Sequence, residues 1–354
     1  MITRINNRKD ERKFFVLRHI VHEYVSTASP VSSKIVAKRM GGDISSATIR
    51  NIMGELEESG YIAQPHTSAG RIPTHAGYRN YVNKAKDRIC LEEKQAQRLA
   101  AEYSRRIRSM KEIIERTSLL ISQELHNAGI VMWPSIEDSY LKRIELIKLR
   151  AETVLAVLVT MTNAVKNFII KLDKDVEATE LERAANFVNY NCEYLTFSGV
   201  SAELKRMLRG NDDGQRKEML DTIKTALKVI DAVIEENIEN EIYWEGLNYF
   251  LERSEFQDLG MTKRILQIFS ERKDLVNLMR SELPHRGLRI YIGKENNSEM
   301  LSECSVITCG YELNGKTLGR IGVIGPTRMD YDNALRTVSC LSDLVSAKLE
   351  EING

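Results

Sequence analysis

The spacing of apolar and polar positions in the first 85 residues predicts four helices and one hairpin. Apolar residues recur at helical intervals over residues 11–27, again from Ser32 or Ser33, and again from Ser45. The third helix has one continuous apolar face, which is made by Ile49, Ile52, Met53 and Leu56. Serines cap its start, and Gly60 can adopt the left-handed conformation that ends a helix.

A β-hairpin is predicted directly after this third helix. Residues 61–63 form a short strand, residues 68–70 have turn chemistry, and Pro73 ends the returning strand. A fourth helix begins after Thr74. Helix, helix, tight turn, helix and hairpin is the order of a winged helix-turn-helix module, which the pattern predicts over residues 1–88. The first turn of the third helix carries small or hydrogen-bonding side chains, as a helix that enters a DNA major groove requires.

Residues 91–127 are predicted to form one long helix that links this module to the rest of the chain. A seam of residues recurs at spacings of three and four: Tyr103, Ile107, Met110, Ile114, Thr117 and Ile121. Such a seam is typical of a coiled coil between subunits or of a helix packed on its own domain. The polar threonine and the bulky tyrosine favour packing within the chain.

The remaining pattern predicts strands, then helices, then strands and a closing helix. Strands are expected at 140–149, 153–161, 165–172, 288–292, 305–309 and 318–324, and helices at 177–193, 202–208, 215–237, 262–278 and 331–351. Residues 241–255 are ambiguous. This order indicates one α+β domain with a central antiparallel sheet, formed by residues 89–176 and 259–354 and interrupted by an insertion at 177–258.

Residues 310–317, GYELNGKT, match the phosphate-loop pattern G-x-x-x-x-G-K-[ST]. A phosphate loop must open a helix, because the amides at the helix N-terminus cradle the phosphates. The residues that follow, LGRIGVIGP, are glycine-rich and β-branched, and they favour a strand. Asn314-Gly315 is also the standard two-residue hairpin turn. The pattern therefore favours a hairpin over a nucleotide site.

The composition and the distribution of charge narrow the classes of function that this chain could have. The chain of 354 residues has a formal net charge of +1, yet its first 90 residues carry 15 Lys and Arg against 8 Asp and Glu. A basic N-terminal module on an acidic body suits nucleic-acid binding. There is no bilayer-spanning apolar run or signal-peptide core, and five scattered cysteines indicate reduced thiols, so a cytoplasmic protein is expected. No catalytic or metal-binding pattern occurs, so we expect neither an enzyme nor a cofactor or metal.

Two runs carry a family resemblance. SSATIRNIMGELEESGYIAQPHTSAGRIPTHAGYRNYV at 45–82 closely resembles the signature of HrcA, the family of bacterial heat-inducible transcription repressors, and LGRIGVIGPTRMDY at 318–331 is similar to that family's C-terminal signature. The resemblance implies a winged-helix DNA-binding domain, a GAF-like domain without a nucleotide role, and an inserted dimerisation domain. It also implies a homodimer that represses chaperone operons at an inverted-repeat operator, CIRCE, with the chaperonin GroEL as a partner and with release on heat stress.

The resemblance further implies which residues contact DNA. The base-reading residues are those of the first turn of the third helix: Ser46, Ala47, Thr48, Arg50 and Asn51. The wing contacts are His66, Thr67, Ser68, Gly70 and Arg71. Gly54 stands where the family usually has alanine, which concerns only helix stability. Two alternatives stay open: a nucleotide switch based on residues 315–317, and a body that senses a small molecule.

Overall fold

The fold is given by a computed structural model. It describes residues 2–41, 44–66, 69–86, 93–103, 107, 109–134, 139–161, 165–210, 217–239, 242–252 and 258–353. Helices and strands both occur throughout these ranges, so the chain is a mixed α+β protein, as the sequence predicts. Within the described part of the chain, no helix combines the length and the hydropathy needed to cross a membrane.

Residues 2–86 form a first unit, here called the N-terminal unit. Its elements follow the predicted order: α1 (Ile2–Thr27), α2 (Ser33–Arg39), α3 (Ser46–Glu58), β1 (Ile62–Ala63), β2 (Ile72–Pro73) and α4 (His75–Ala85). The predicted capping is confirmed for α3, because the Ser45 hydroxyl accepts the backbone N–H of Thr48 at 3.1 Å. Gly60 follows the helix with a φ of +75°, in the left-handed region that ends it.

The N-terminal unit is held together by apolar side chains from α1, α3 and α4. Leu17 and Ile20 of α1 pack in one cluster with Ile49 and Leu56 of α3 and with Tyr78 of α4. The approach of α4 to the hairpin requires glycine at one position. A Cβ on residue 77 would lie 2.0 Å from the carbonyl oxygen of Tyr61, so α4 can sit this close only because residue 77 has no side chain.

The predicted long helix at 91–127 is wrong, because this stretch contains two helices, α5 (Glu93–Tyr103) and α6 (Met110–Leu125). They run antiparallel, since Arg98 pairs with Glu124 while Arg116 pairs with Glu102. The apolar seam runs through both helices because each buries its apolar face against the other helix and the core. Packing within the chain is confirmed for this seam: Tyr103, Ile107, Ile114, Thr117 and Ile121 are all buried.

The described residues from 93 onward are here called the body. A five-stranded antiparallel sheet forms its centre. Its strands are β3 (Ala128–Met132), β7 (Ile242–Glu245), β8 (Arg289–Ile292), β9 (Cys304–Leu313) and β10 (Lys316–Pro326), in the order β7-β3-β10-β9-β8. One face packs on α6 and on α13 (Tyr331–Asn353). The other packs on α10 (Leu247–Leu251), α11 (Leu259–Glu271) and α12 (Lys273–Ser281). Arg272, at a φ of +56°, separates α11 from α12, where the pattern had predicted one helix.

The strands predicted at 140–172 do not join this sheet, so the prediction of one central sheet is wrong. They form a second antiparallel sheet, β4 (Leu141–Arg150), β5 (Thr153–Thr160) and β6 (Val165–Lys171). This sheet shares its own core with α7 (Ala178–Asn191), α8 (Phe197–Gly210) and α9 (Lys217–Glu239). The expected division between residues 176 and 177 therefore falls inside a packed unit, because alternation shows which strand face is buried and not which sheet the strand joins.

The predicted hairpin at residues 310–317 is confirmed. Leu313 pairs with Lys316 across a two-residue turn, in which Asn314 has a φ of +52° and Gly315 a φ of +76°. Both positive angles match the turn type that right-twisted strands favour. Strand β10 follows at once, so these residues open no helix whose amides could cradle a phosphate.

Candidate nucleic-acid interface

The first turn of α3 presents an exposed surface opposite its buried face. Ile49, Met53 and Leu56 are buried in the core of the N-terminal unit. Four of the predicted base-reading residues lie away from this buried face and are exposed: Ala47, Thr48, Arg50 and Asn51. The amphipathic pattern therefore brings these four side chains together on one solvent-facing patch, which we call the α3 patch.

Ser46, the fifth predicted base-reading residue, is half-buried and is placed differently. Its hydroxyl oxygen lies 3.0 Å from that of Ser33, the first residue of α2. The contact joins the N-termini of α2 and α3. Next to it, the hydroxyl oxygens of Ser45 and Thr48 lie 2.9 Å apart. From the sequence, Ser33 was only a candidate cap of the second helix, a position that Ser32 takes, because a hydroxyl pair between two helices leaves no local signal.

The hairpin after α3 is partly described. His66 is exposed, whereas Thr67 and Ser68 lie outside the described residues. Gly70 is half-buried, and a Cβ on it would lie 2.4 Å from the carbonyl oxygen of Val31. The cause is the neighbouring backbone pairing, in which Arg71 and Val31 exchange two N–H···O bonds of 2.8 Å. Gly70 thus allows the hairpin to pack on the segment before α2, a role that the sequence did not show.

Arg71 lies at the base of the hairpin, just before β2, and its guanidinium binds Glu57 of α3. Its Nε donates to Glu57 Oε2 at 2.9 Å, and Nη2 lies 2.8 Å from the same oxygen. About a quarter of the Arg71 side chain stays exposed. The ion pair links the hairpin to the last turns of α3, and the carboxylate offsets the cation at this edge of the surface. Glu57 was absent from the predicted site.

Exposed cations also occur on α2, whose first residue contacts the start of α3. Lys34 and Lys38 are exposed there. Arg39 is held by α1, because its Nε donates to Glu23 Oε2 at 3.0 Å. Arg50 is exposed and forms no ion pair with any residue of the described ranges. The surface of α2 and α3 therefore combines small polar side chains with the exposed cations Lys34, Lys38 and Arg50 and with Arg39, which is exposed but paired with Glu23. Such a surface suits contact with a polyanion.

The described residues offer little chemistry of other kinds. Nowhere in these ranges do three or more His, Cys, Asp or Glu side chains gather as metal ligands. Two thiols are deeply buried: burial, with a smaller effect of Glu203, raises the pKa of Cys192 to about 11, and burial, with a smaller effect of Glu303, raises that of Cys304 to about 12. Both thiols stay protonated at neutral pH, which makes them poor nucleophiles.

Known proteins resemble this chain over nearly its whole length. The family model described as the HrcA protein C-terminal domain matches residues 111–335. A protein of Syntrophobacter fumaroxidans named heat-inducible transcription repressor HrcA is 35% identical, with 96% of this chain and 97% of the relative covered. Proteins of the same name from Pelotomaculum thermopropionicum and Brevibacillus brevis are 34% and 33% identical, over 97% and 96% of this chain and 97% of each relative. A crystal structure described as that of a hypothetical protein shares the fold, with 24% identity, a TM-score of 0.63 and coverage of 96% and 98%.

Proposed function

The chain belongs to the HrcA family, and from that premise we propose that it is a heat-inducible transcription repressor that binds DNA through its N-terminal unit. The observation that carries the proposal is the α3 patch: an exposed, small-residue first turn on a helix whose other face is anchored in the core. Helices α1 to α3 followed by the β1–β2 hairpin have the order of a winged helix-turn-helix, in which α3 is the recognition helix and the hairpin the wing.

In this proposal the N-terminal end of α3 enters the major groove. Arg50 can donate two hydrogen bonds to a guanine, and Asn51 can bond an adenine edge in the same bidentate way. Ala47 and Thr48 let the helix backbone approach the bases. Ser46 supports this geometry through Ser33, while Lys34 and Lys38 lie where phosphates would neutralise them. His66, Thr67, Ser68, Gly70 and Arg71 form the wing, beside the backbone or minor groove.

We further propose that the protein is a homodimer and that the second sheet forms the interface. Helices α7 to α9 cover one face of that sheet. The other face has a row in which Ile147 pairs with Leu155 and Leu155 with Ile169. Two of these residues, Ile147 and Ile169, have 46% and 64% of their surface exposed. Contiguous exposed apolar surface of this kind marks association sites, and a second copy buries it symmetrically.

The packing supports domain bounds that differ from the predicted ones. Residues 139–239 become the inserted dimerisation domain, in place of 177–258, because β4 to β6 and α7 to α9 share one core. The GAF-like domain is then built around the five-stranded sheet, from residues 93–134 and 242–353. Strand β7 and helix α10, which the sequence analysis put in the insertion, belong to this second part.

The family relationship supports the remaining parts of the proposal. The dimer binds an inverted repeat of the CIRCE type, because a two-fold symmetric protein presents two recognition helices to two symmetric half-sites. It does so in the cytoplasm. It represses chaperone operons. The chaperonin GroEL promotes its DNA-binding form, and heat stress causes the repressor to leave the operator. The protein acts by binding and not as an enzyme. The hairpin at residues 310–317 gives the nucleotide-switch alternative no support.

A gel-shift titration tests this proposal. Purified protein is titrated against a duplex that carries the inverted repeat and against a scrambled duplex of equal composition, at two salt concentrations and with and without chaperonin. We expect tighter binding to the inverted repeat, a steep fall in affinity with salt and a larger binding-competent fraction with chaperonin. Equal binding to both duplexes would contradict sequence-specific repression. An unchanged fraction would remove the chaperonin from the proposal.

A further inference from the structure

Helix α4 is clamped to the body by an arginine that spans two elements. Arg79 Nε donates to Glu295 Oε1 at 2.9 Å, and Nη2 contacts both Glu295 Oε2 and the carbonyl oxygen of Ile290, the latter at 2.7 Å. Glu295 lies in a short 3-10 helix, Gly293–Asn296, and Ile290 lies in β8. A bidentate, charge-assisted contact of this kind fixes orientation as well as distance.

The backbone under this clamp is shaped for close contact. Gly293 has a φ of +58°, and a Cβ on it would lie 2.3 Å from ring atoms of His75 in the first turn of α4. A side chain at residue 293 would therefore meet both backbone strain and the imidazole. Helix α4 thus rests directly on the 3-10 helix that carries Glu295.

Further polar contacts hold the N-terminal unit at separate points. Arg328, which follows β10, donates from Nη1 to the carbonyl oxygen of Val25 in the last turn of α1 at 2.6 Å. Lys86 Nζ donates to the carbonyl oxygen of Leu288 at 3.2 Å. Together with the Arg79 clamp, these contacts tie both α1 and α4, so that rotation about any single contact is resisted.

Apolar packing continues beneath the polar contacts. The rings of Tyr78 in α4 and Tyr331 at the start of α13 lie 5.4 Å apart, and one hydrophobic cluster includes residues of both the N-terminal unit and the body. Loss of the clamp should therefore loosen the orientation of the unit without releasing it. The clamp is charged at neutral pH: burial opposes ionisation of Glu295, but hydrogen bonds from Arg79 and from the Ile292 amide outweigh it and hold the pKa of Glu295 below its usual range.

We infer that Arg79 and Glu295 are positioning residues that fix α3 relative to the body, and thereby fix the distance between the two α3 helices of the dimer. The inference rests on the proposed function. When two DNA-binding units are held rigidly, the second half-site is bound at a high effective concentration, but only at the matching separation. When the units are loosely held, the effective concentration falls, and the affinity depends less on the separation of the half-sites.

The test compares three duplexes with full-length wild-type protein and with the variants Arg79→Ala and Glu295→Gln. The duplexes carry the inverted repeat at its native spacing, the same repeat with the half-sites moved apart by half a helical turn, and a single half-site. We expect the variants to bind the duplex with native spacing about tenfold more weakly than wild type does. Their preference for native over altered spacing should fall by a similar factor, while their affinity for the single half-site should stay within about twofold of wild type.

Two further variants separate positioning from general damage. The charge exchange Arg79→Glu with Glu295→Arg should recover part of the spacing preference, because it can restore the ion pair. Arg206→Ala removes a matched bidentate pair, Arg206–Glu203 on α8, and should leave the spacing preference unchanged. Circular dichroism on heating shows whether each variant is folded.

An unchanged spacing preference in Arg79→Ala and Glu295→Gln would overturn the inference. So would an equal loss of affinity for the half-site and the full repeat, because that result shows damage within the DNA-binding unit itself. Failure of the wild-type protein to bind any inverted repeat is a different result, and it would contradict the proposed function together with this inference.

Discussion

The guanidinium of Arg71 binds the carboxylate of Glu57, with Arg71 Nε and Glu57 Oε2 2.9 Å apart. This contact joins the base of the hairpin to α3, so the wing and the recognition helix of the proposed module are held as one surface. Both side chains are partly exposed, and a pair of this kind stabilises a fold by about 1 kcal/mol or less. Its importance therefore lies in the orientation of the hairpin.

Substitution of Arg71 tests the proposed wing contact. Arginine has five N–H donors, so Arg71 can bind Glu57 and a phosphate together. Arg71→Ala is expected to lower operator affinity and to reduce the slope of log affinity against log salt by about 1, the value for one lost phosphate contact. Binding titrations over a series of salt concentrations measure both. Glu57→Gln is the matched variant, which loses the ion pair but keeps the cation and should keep the slope. Equal losses with unchanged slopes in both variants would show that Arg71 acts only through Glu57.

The same substitution, glycine to alanine, should change stability in opposite directions at residues 70 and 54. A Cβ at residue 70 would lie 2.4 Å from the backbone oxygen of Val31. A Cβ at residue 54, within α3, meets no atom within 4 Å apart from its chain neighbours and the backbone of its own helix. Gly70→Ala is expected to destabilise the protein by about 1–3 kcal/mol through overpacking. Gly54→Ala is expected to stabilise it by about 0.5–1 kcal/mol through helix propensity. Urea unfolding measures both changes, and a Gly70→Ala variant as stable as wild type would contradict the packing described for the hairpin.

The exposed face of the second sheet should control the oligomeric state. Ile169→Lys places a charge on this face, in the outer strand β6, where Ile169 is 64% exposed. The substitution should cost the monomer little stability but would bury a charge in a dimer. We expect a monomer by sedimentation at micromolar concentration, against a wild-type dimer. Leu266→Lys on α11, a residue 45% exposed outside this face, should leave the dimer intact. A dimeric Ile169→Lys variant would place the interface elsewhere.

Acid should weaken the contact between α4 and the body. The pKa of Glu295 is lowered in the folded protein, because hydrogen bonds from Arg79 and Ile292 outweigh the effect of burial. The contribution of Glu295 to stability is therefore complete above the pKa of an unfolded glutamate and is lost as the pH falls through the lowered folded-state value. The difference in melting temperature between wild type and Glu295→Gln should shrink from pH 7 to about pH 3. A constant difference over that range would contradict this ionisation.

Local features of the fold could be predicted from the sequence. The capping by Ser45 and Thr74, the left-handed Gly60 and the Asn314-Gly315 turn depend on residues within a few positions, and the structure has all four. The exposure of Thr48 and Asn51 follows from helical periodicity. These predictions succeed because the backbone conformation at each site follows from its own residue types.

Relationships between distant residues could not be predicted in the same way. Strand β3 was missed because its five-residue apolar run begins only two residues after α6 ends, so the run reads as the end of the helical pattern. The contacts Ser46–Ser33, Arg71–Glu57 and Arg79–Glu295 join residues 13, 14 and 216 positions apart, so their partners depend on tertiary packing. The two sheets were merged in the prediction because strand pairing is set by contacts that alternation does not encode.

Base reading by the first turn of α3 is tested most directly by binding wild type, Arg50→Ala and Asn51→Ala to the operator and to operators with each half-site base pair changed in turn. When the base pair that Arg50 reads is changed, the wild-type protein should lose about 1–3 kcal/mol of binding free energy. Arg50→Ala should lose a similar amount on the native operator and become indifferent to that base pair, and Asn51→Ala should do the same at a different one. If instead both variants weaken binding to every sequence by the same factor and keep the base preferences of wild type, α3 contacts only the DNA backbone and the proposed recognition surface is wrong.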